Sequence, residues 1–364
     1  MPKIKIRKIK DTDFASIINL HNEHFRETRT TDNFKWEYIN YSDNKFVFSV
    51  VEENDQIIAT QGMIPININI SGIKYLTGKT ENSLVKRKHR GLLFFQVYAH
   101  AMNLCKEVGM KFVWGFTGQS VIWEKGLKFT VFRRVLYDTI LIFNVKKACS
   151  EIMKKKWGYP KKLGITIICC FLRLWSVLRK KLTRMLVDFE SDKNEIRTDL
   201  HSPNDILNLY KKLRKKYTNL IHIEQNINYL NWRVYHNPSI DYVTFFLYQK
   251  DNKELKAYCY LAKSKSNVYY LSDFTYQNKS VGHTLINYIL DYLNEKEIGM
   301  VIYYGNKSNE LIDNTFSLLK MYGFVSKKNN SPLVVKDIGF ENKSILYDSK
   351  NWHINGLWSE GYDF

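Results

Sequence analysis

A basic, glycine-containing turn between a strand and a helix is the part of this sequence best suited to chemistry. Residues 80–85 predict the end of a strand, residues 86–91 (KRKHRG) a cationic turn closing on Gly91, and the residues after it an amphipathic helix. The first backbone N–H groups of a helix lack intrahelical partners, and the helix dipole is positive at that end. The pattern therefore predicts a phosphate-binding turn. An ordinary strand–turn–helix with a solvated basic turn is the alternative.

The elements around this turn follow a mixed α/β order. Residues 4–9 alternate basic and apolar side chains as a strand does, and a helix follows Asp11-Thr12-Asp13. Residues 46–51 and 57–70 predict an antiparallel hairpin, and residues 75–85 the next strand. After the helix come a strand at Phe112–Phe116 and a second short helix from about Ser120. This order resembles the acyl-CoA-binding half of the GNAT (N-acetyltransferase) superfamily, in which the loop after the fourth strand holds the CoA pyrophosphate.

The resemblance implies acetyl-CoA or another acyl-CoA as cofactor. The family's loop reads Arg/Gln-x-x-Gly-x-Gly/Ala, but counted from Arg90 this chain has Leu93 and Phe95 where small residues are expected. A second register takes Gly91 as the first glycine of the motif and Arg87 or Lys88 as its basic position. The cofactor-binding residues implied by the resemblance are Ser83, Leu84, Val85, Arg87, Lys88, His89, Arg90, Gly91, Leu92, Leu93, Phe94 and Ser120.

Glu81 is the candidate general base. Acyl transfer to an amine requires a group that removes a proton from the amine and an N–H that polarises the thioester carbonyl. Members of the family often carry a carboxylate base on the fourth strand. Glu81 precedes Val85 by four residues, so a regular strand places both side chains on one face. The alternative is a strand-edge carboxylate paired with Lys79 or Lys86.

The general acid is less well indicated. The family often uses a tyrosine on the helix after the next strand, and here Trp123 stands near that position. An indole N–H does not titrate, so another group must return the proton to the thiolate. Tyr137 is the catalytic candidate, with Tyr98, solvent or a residue of the second half of the chain as alternatives.

The second half of the chain predicts a similar order of elements. Three strands (241–247, 256–263 and 268–274), a helix (282–295), a strand (299–304) and a helix (312–321) follow one another. The intervening loop, residues 277–280, lacks the Arg-Gly pair. We therefore predict an α+β (mixed α/β) chain with two GNAT-like domains, each a mostly antiparallel twisted sheet with helices on both faces. The predicted boundaries are 1–145 for a domain with the CoA loop, 146–200 for a linker insertion and 201–364 for a domain without a CoA loop.

The predicted insertion contains an apolar run at residues 164–178, flanked by lysines and arginines. The run has fewer than the ~20 residues that a bilayer span needs. Basic flanks and tryptophans suit a helix at the interface of an anionic membrane, with contact through residues 154–184. A linker helix packed between the two domains is the equally weighted alternative.

The amino-acid composition limits the kinds of binding partner that we expect. The chain has 364 residues and a formal net charge of +19, which favours an anionic partner. The charge is spread along the chain without a nucleic-acid-binding motif, so nucleic acid is disfavoured. Five cysteines without zinc spacing predict neither a metal site nor disulfides. No apolar segment follows the N-terminal basic residues, so no secretory signal is predicted. The cysteine usage favours a reducing cytoplasm, with peripheral contact on the inner membrane face as an option.

The leading functional hypothesis is an acetyl-CoA-dependent N-acyltransferase that acts on an amino group. Tandem GNAT-like chains of this length are found in bacterial surface-polysaccharide and amino-sugar biosynthesis, so the resemblance implies an amino sugar or glycan precursor as acceptor. One alternative is a peptidoglycan-type aminoacyl transferase that uses charged tRNA. The other is a non-catalytic membrane-surface protein whose CoA site has decayed.

Overall fold

The computed structural model describes residues 4–25, 28–41, 45–153, 159–187, 193–200, 202–264, 266–307 and 310–358. Residues 154–158, which belong to the predicted membrane contact, lie outside the described residues, as do residues 359–364.

Strands and helices are interspersed along the chain. In the described residues the strands are β1 (Ile4–Lys8), β2 (Val47–Glu53), β3 (Gln56–Ile70), β4 (Ile73–Val85), β5 (Phe112–Phe116), β6 (Thr130–Phe132), β7 (Leu136–Ile142), β8 (Asn194–Arg197), β9 (Ile221–Ile223), β10 (Asp241–Gln249), β11 (Leu255–Lys263), β12 (Val268–Tyr276), β13 (Met300–Asn306), β14 (Val325–Lys328) and β15 (Leu333–Asp337). The helices are α1 (Phe14–Phe25), α2 (Thr31–Tyr38), α3 (Leu92–Glu107), α4 (Val145–Ile152), α5 (Tyr159–Leu186), α6 (Pro203–Arg214), α7 (Ile227–Leu230), α8 (Lys279–Glu295), α9 (Glu310–Met321) and α10 (Lys343–Leu346). Short 3₁₀ turns cover Asp11–Asp13, Arg87–His89, Ser349–Asn351 and Gly356–Trp358, and π-helical turns cover Ile122–Gly126 and Asn231–Tyr235.

The chain forms two compact units, each assembled from separate stretches of sequence. The first comprises residues 1–134, 219–224 and 330–351, and the second comprises residues 135–218, 225–329 and 352–364. These units divide the chain at different places from the predicted boundaries at residues 145 and 200.

The first unit is built on a sheet in the order β1-β2-β3-β4-β5-β15-β6, with β9 paired to β3. Neighbouring strands are antiparallel except β4 and β5. Helix α3 packs on one face through a cluster that includes Met63, Tyr98 and Val113. On the opposite face, the Tyr38 ring of α2 lies against the Phe48 ring of β2 with centroids 5.0 Å apart.

The second unit is built on a sheet in the order β14-β7-β13-β12-β11-β10-β8, and only the β12–β13 pair is parallel. Helix α8 buries Leu285, Ile289 and Leu293 in the core of this unit. Mostly antiparallel sheets with packed helices confirm the predicted fold class.

Each sheet contains a strand from the other half of the sequence. Strand β7 lies within the predicted N-terminal domain, but its seven residues pair with β13 in the second sheet. Strand β15 lies within the predicted C-terminal domain, but its five residues pair with β5 in the first sheet. The backbone hydrogen bonds of these strands, and not their order in the sequence, decide the unit to which they belong.

The apolar run of the predicted insertion lies within α5. Its buried side packs on the second unit: Cys169 joins a cluster with Ile142 and Met300, and the Thr183 hydroxyl donates to the Met321 carbonyl at 2.6 Å. Among the helices of the described residues, none combines the length and hydropathy needed to cross a bilayer.

Candidate functional site

A β-bulge in β4 shapes the candidate site. Gly62 of β3 pairs with Glu81, and Thr60 pairs with Leu84, so β4 has one more residue than its partner over this step. Asn82 takes up the extra residue in the left-handed conformation, with φ of 51°. Asparagine adopts this conformation more readily than most other residues, which fits its place here.

Buried hydrogen bonds hold the bulge. The Asn82 side chain accepts from Arg29 Nη1 at 2.9 Å and donates to the Tyr38 hydroxyl at 2.7 Å. Arg29 also forms a buried ion pair with Glu37. On the β3 side, Gln61 Nε2 donates to the Glu81 carbonyl at 3.2 Å. The bulge is therefore fixed from α2 and the residues just before it on one face, and from the neighbouring strand.

The bulge changes the direction of Glu81. A regular strand would place Glu81 and Val85 on one face, as the spacing predicted, but the extra residue puts Glu81 and Leu84 on one face and Val85 on the other. Glu81 therefore lies on the face covered by α1 and α2, not on the α3 face. Its buried carboxylate forms an ion pair with the buried Lys79 ammonium, which is the pairing weighed as the alternative to a catalytic role.

Strands β4 and β5 diverge beside Glu81, and we call this point of divergence the parting. The parallel register pairs Gly78 with Val113 and Lys79 with Trp114, and then ends, although β4 continues to Val85. At the parting, the buried Tyr98 hydroxyl donates to Thr80 Oγ1 at 3.2 Å. Burial raises the pKa of Tyr98 well above its usual range, so this phenol keeps its proton at neutral pH.

Past the parting, β4 leads into the predicted basic turn. Residues Arg87–His89 form a 3₁₀ turn, and Gly91 precedes α3 as its N-cap with φ of 117° and ψ of −124°. This conformation is accessible to glycine and strained for other residues, and the space beside the Gly91 Cα is open. The position of Gly91 supports the register in which it is the first glycine of the motif.

The turn presents exposed cations. Arg87, Lys88 and Arg90 are exposed, and Lys88 Nζ lies 3.8 Å from a carboxylate oxygen of Glu53. His89 turns back towards the end of β2, with Nε2 3.3 Å from the same Glu53 oxygen. Arg87 and Arg90 therefore face solvent at the N-terminus of α3.

The large residues of the loop do not occupy the open side of the turn. Leu93 is buried and packs with Val85 and Val97 under α3, while Leu92 is 71% exposed. Phe94 is half-buried and packs against both this cluster and the α3 cluster that contains Tyr98. The Phe95 ring packs against Gly126, at a place where a Cβ would clash with it. Leu93 therefore points into the core, away from the open side of the Gly91 turn.

The remaining predicted residues lie in different surroundings. The Ser83 hydroxyl donates to Gln61 Oε1 at 2.5 Å, and Leu84 is buried. Ser120 is half-buried at the start of the turn that buries Trp123 against Tyr98.

Tyr137 lies in the second unit, whereas Glu81 lies in the first. It belongs to β7, where it pairs with Gly305, and Lys307 Nζ lies 4.7 Å from its ring centroid. The structure thus assigns the two predicted catalytic residues to separate units.

The second unit also has a β-bulge and a parting of two strands. In this unit, however, residues 352–358 fill the gap between the two strands. Ser272 is the extra residue of β12, and β12 pairs with β13 only from Val268 to Leu271. Tail residues 352–358 lie between these strands: Ile354 N–H donates to Asn306 Oδ1 at 2.9 Å, and a Cβ on Gly356 would lie 2.7 Å from Ser272 Cα.

The helix after this second parting also differs from α3. Asn278 caps α8 by accepting from the Val281 N–H at 3.0 Å, where α3 has Gly91 and no side-chain cap.

Residues 5–124 match a family model described as an acetyltransferase (GNAT) domain. This part of the chain is therefore similar to GNAT acetyltransferase domains. The match supports an acyltransferase, and acetyl-CoA or another acyl-CoA is the cofactor that the family uses. A comparison with curated protein sequences finds no match.

Solved structures share the fold of the whole chain. A probable N-acyltransferase from Enterococcus faecalis V583 has 7% identity and a TM-score of 0.62 over 93% of this chain and 73% of that one. Saccharomyces cerevisiae N-myristoyltransferase with bound myristoyl-CoA has 10% identity and a TM-score of 0.56 over 91% and 79%. A tandem GNAT protein from the clavulanic acid biosynthesis pathway has 9% identity and a TM-score of 0.52 over 93% and 100%. At such identities the likeness concerns the fold, and it supports two GNAT-like domains.

Sequence reasoning missed the residues that hold the bulge. Arg29, Tyr38 and Gln61 lie 20 or more residues from Asn82 in the sequence and show no motif. One available signal was a run of polar residues, Thr80 to Ser83, in the middle of a predicted strand.

Proposed function

We propose that the protein transfers an acetyl group from acetyl-CoA to the amino group of an amino sugar or glycan precursor. The observation that carries the proposal is the parting of β4 from β5 beside a buried carboxylate, on a strand that leads into a glycine-started helix. The family resemblance places the CoA pyrophosphate at the loop that follows this strand. The acceptor class rests on the family resemblance described above and on the net charge of +19, which suits an anionic acceptor.

The residues of the turn fit a pyrophosphate. Gly91 leaves open space at the helix N-terminus, and the exposed side chains of Arg87 and Arg90 have no carboxylate at ion-pair distance among the described residues. Backbone N–H groups of the first turn of α3 and these guanidinium groups would hold the phosphate oxygens. Bound acyl-CoA would supply the activated acyl group.

The proton transfers would involve two side chains of the first unit. The Lys79 ammonium stabilises the negative charge of Glu81, which as a carboxylate can accept a proton from the amine of the acceptor. Tyr98 is protonated at neutral pH and lies at the parting, which makes it a candidate donor to the leaving thiolate, but burial raises its pKa and so makes it a weaker acid. Tyr137 remains the second candidate for the acid.

Calorimetric titration with acetyl-CoA tests the cofactor site. Arg90→Glu should weaken binding at least about tenfold, because it places a carboxylate where a phosphate would bind. Lys106→Glu is the matched control, since Lys106 is an exposed cation at the other end of α3. No heat with the wild-type protein, or an equal loss in both variants, would refute the site. In the first case, acyl transfer from charged tRNA becomes the reaction to assay.

Turnover of Glu81→Gln tests the base. We expect kcat to fall by about 10²–10⁴ with acetyl-CoA affinity unchanged. Because glutamine leaves the Lys79 ammonium unpaired, Lys79→Met/Glu81→Gln is the companion variant, and thermal denaturation shows which variants are folded. Tyr98→Phe and Tyr137→Phe, compared in the same assay, identify the acid. A folded Glu81→Gln enzyme with wild-type kcat would exclude Glu81.

We further propose that the second unit binds no acyl-CoA. Tail residues 352–358 occupy its parting, and Asn278 caps the helix that would receive a phosphate. Titration should therefore give one acetyl-CoA per chain. Two equivalent sites would contradict this assignment.

The exposed face of α5 supports a second proposal, attachment to an anionic membrane. Eleven of the exposed large apolar residues lie on this helix: Leu163, Ile167, Ile168, Phe171, Leu174, Trp175, Val177, Leu178, Leu182, Met185 and Leu186. The sequence of α5 contains seven lysines and arginines and no aspartate or glutamate. An apolar face on a helix whose own charged residues are all cations suits an anionic lipid surface, and co-sedimentation with vesicles tests it.

A further inference from the structure

We propose that the second unit carries a binding site for a small oxyanion, centred on Arg214. A cavity of about 220 Å³ lies between the C-terminal end of α6, the end of β12 and the start of α8. Charged and polar side chains line it, among them Arg214, Lys216, Asp273, Lys279 and His353. The cavity belongs wholly to the second unit, so the proposal does not depend on the acyl-CoA site of the first.

Arg214 is buried and forms no ion pair within the described part of the chain. Its residue is 3% exposed, and its Nε and Nη2 have no hydrogen-bond partner in the described part of the chain. Nη1 makes only a long contact of 3.5 Å with the Tyr210 carbonyl, and the guanidinium carbon lies 3.4 Å from the centroid of the Tyr210 ring. Burying an unpaired charge is costly, so a cavity lined by this guanidinium favours an anion.

Asp273, the carboxylate that lines the cavity, accepts its hydrogen bonds from neutral groups. Asp273 is 2% exposed and accepts from Gln225 Nε2 at 3.0 Å, from the Tyr258 hydroxyl at 3.3 Å and from the Thr275 hydroxyl at 2.9 Å. No ion pair joins it to Arg214 among the described residues. Asp273 therefore does not neutralise Arg214, whose Nε and Nη2 have no hydrogen-bond partner among the described residues.

The ligand class follows from charge and size. Arg214, Lys216 and Lys279 give the lining three cations against the single carboxylate of Asp273. A guanidinium fork matches the paired oxygens of a phosphate or a carboxylate. The tail fills the neighbouring parting of β12 and β13, so the site suits a compact oxyanion group and not a long pantetheine arm.

Thermal shift and calorimetry with inorganic phosphate test the site on the full chain, with acetate as the carboxylate arm and chloride at equal ionic strength as the blank. The wild-type protein should bind one of the two anions with a Kd of about 1 mM, and Arg214→Met should weaken binding at least about tenfold. Arg214→Met should also melt no lower than the wild type without anion, because it removes an unpaired buried charge. Lys211→Gln, an exposed cation on the same helix, should bind like the wild type.

Two further variants test whether the anion binds at Arg214 and not at another cationic part of the chain. Arg90→Glu alters the basic turn of the first unit, and anion binding that disappears there but persists in Arg214→Met would overturn the proposal. Absence of wild-type stabilisation by either anion at about 20 mM would also overturn it. If Arg214→Met does not fold, the exposed pair Lys216→Gln/Lys279→Gln decides: several-fold weaker anion binding supports the site, and unchanged binding refutes it.

Discussion

Replacing Phe171 and Leu174 with serine should release the protein from anionic vesicles without unfolding it. Both residues lie on the exposed face of α5, and neither belongs to the buried side that packs on the second unit. Phe171 is 65% exposed and Leu174 is 60% exposed. The double variant therefore removes apolar surface that a membrane would cover and leaves the core unchanged.

The structure sets the size of the effect. Complete burial of a phenylalanine or leucine side chain is worth about 2 kcal/mol, so the exposed fractions correspond to about 1.2 kcal/mol each. If both side chains enter the acyl boundary, the loss is about 2.5 kcal/mol, or a ~70-fold weaker partition into vesicles. Cations near the surface add about 1 kcal/mol each at low salt, and this part should fall as salt is raised.

Co-sedimentation with vesicles of phosphatidylglycerol and phosphatidylcholine measures the partition. The matched control is Ile4→Ser/Ile73→Ser, because these residues are 49% and 57% exposed but lie outside α5. The control should bind vesicles like the wild type. Equal melting temperatures would show that neither pair of substitutions unfolds the chain.

Two results would refute the membrane proposal. One is a Phe171→Ser/Leu174→Ser variant that binds vesicles as strongly as the wild type. The other is a wild-type protein that ignores vesicles but dimerises with rising concentration, while the serine variant stays monomeric. A second copy of the chain would then cover the α5 face.

Three other predictions concern the interior and its charges. Asn82→Ala should destabilise the first unit by about 2–4 kcal/mol, since it removes two buried hydrogen bonds and strains a left-handed position; an unchanged urea midpoint would contradict this. Of the five thiols, only the exposed Cys170 should react quickly with Ellman's reagent in the native protein, and anionic vesicles should slow this reaction. Burial raises the pKa of Cys105 to about 12, so fast reaction of Cys105 would contradict the prediction. Burial would raise the pKa of Asp13, but hydrogen bonds from Arg7 and the Lys10 N–H outweigh it and the pKa is lowered. The stabilisation that ionised Asp13 provides is thus present above about pH 4 and lost below. Asp13→Asn should therefore melt below the wild type at neutral pH, and the difference in melting temperature should shrink on acidification and not stay constant.

Local patterns predicted the elements that depend on neighbouring residues. The strand Phe112–Phe116 has the predicted bounds, and the predicted turn after β2 contains Asn54 and Asp55 in left-handed conformations. Gly91 stands at the start of α3, as the phosphate-turn pattern required. In these cases the side-chain period or the backbone demand of one residue is sufficient.

Features that depend on distant residues could not be predicted in this way. The bulge at Asn82 relies on Arg29 and Tyr38, and without it a four-residue spacing assigns Glu81 to the wrong face of β4. Sequence order placed Tyr137 in the N-terminal domain for a similar reason. Its strand, β7, pairs with β13, which lies more than 150 residues later in the sequence. A single sequence shows which segments are strands but not which strands pair.

The exchange of β7 and β15 between the two sheets affects how the protein can be made and divided. During synthesis, β5 lacks its antiparallel neighbour until residue 337 has left the ribosome, so the first sheet has an unprotected edge while the second half is translated. A fragment ending at residue 145 would retain that edge, and a fragment starting at residue 201 would lack the strand that joins β13 to β14. Expression as two separate halves should therefore give aggregates, and co-expression of the halves should restore folded protein.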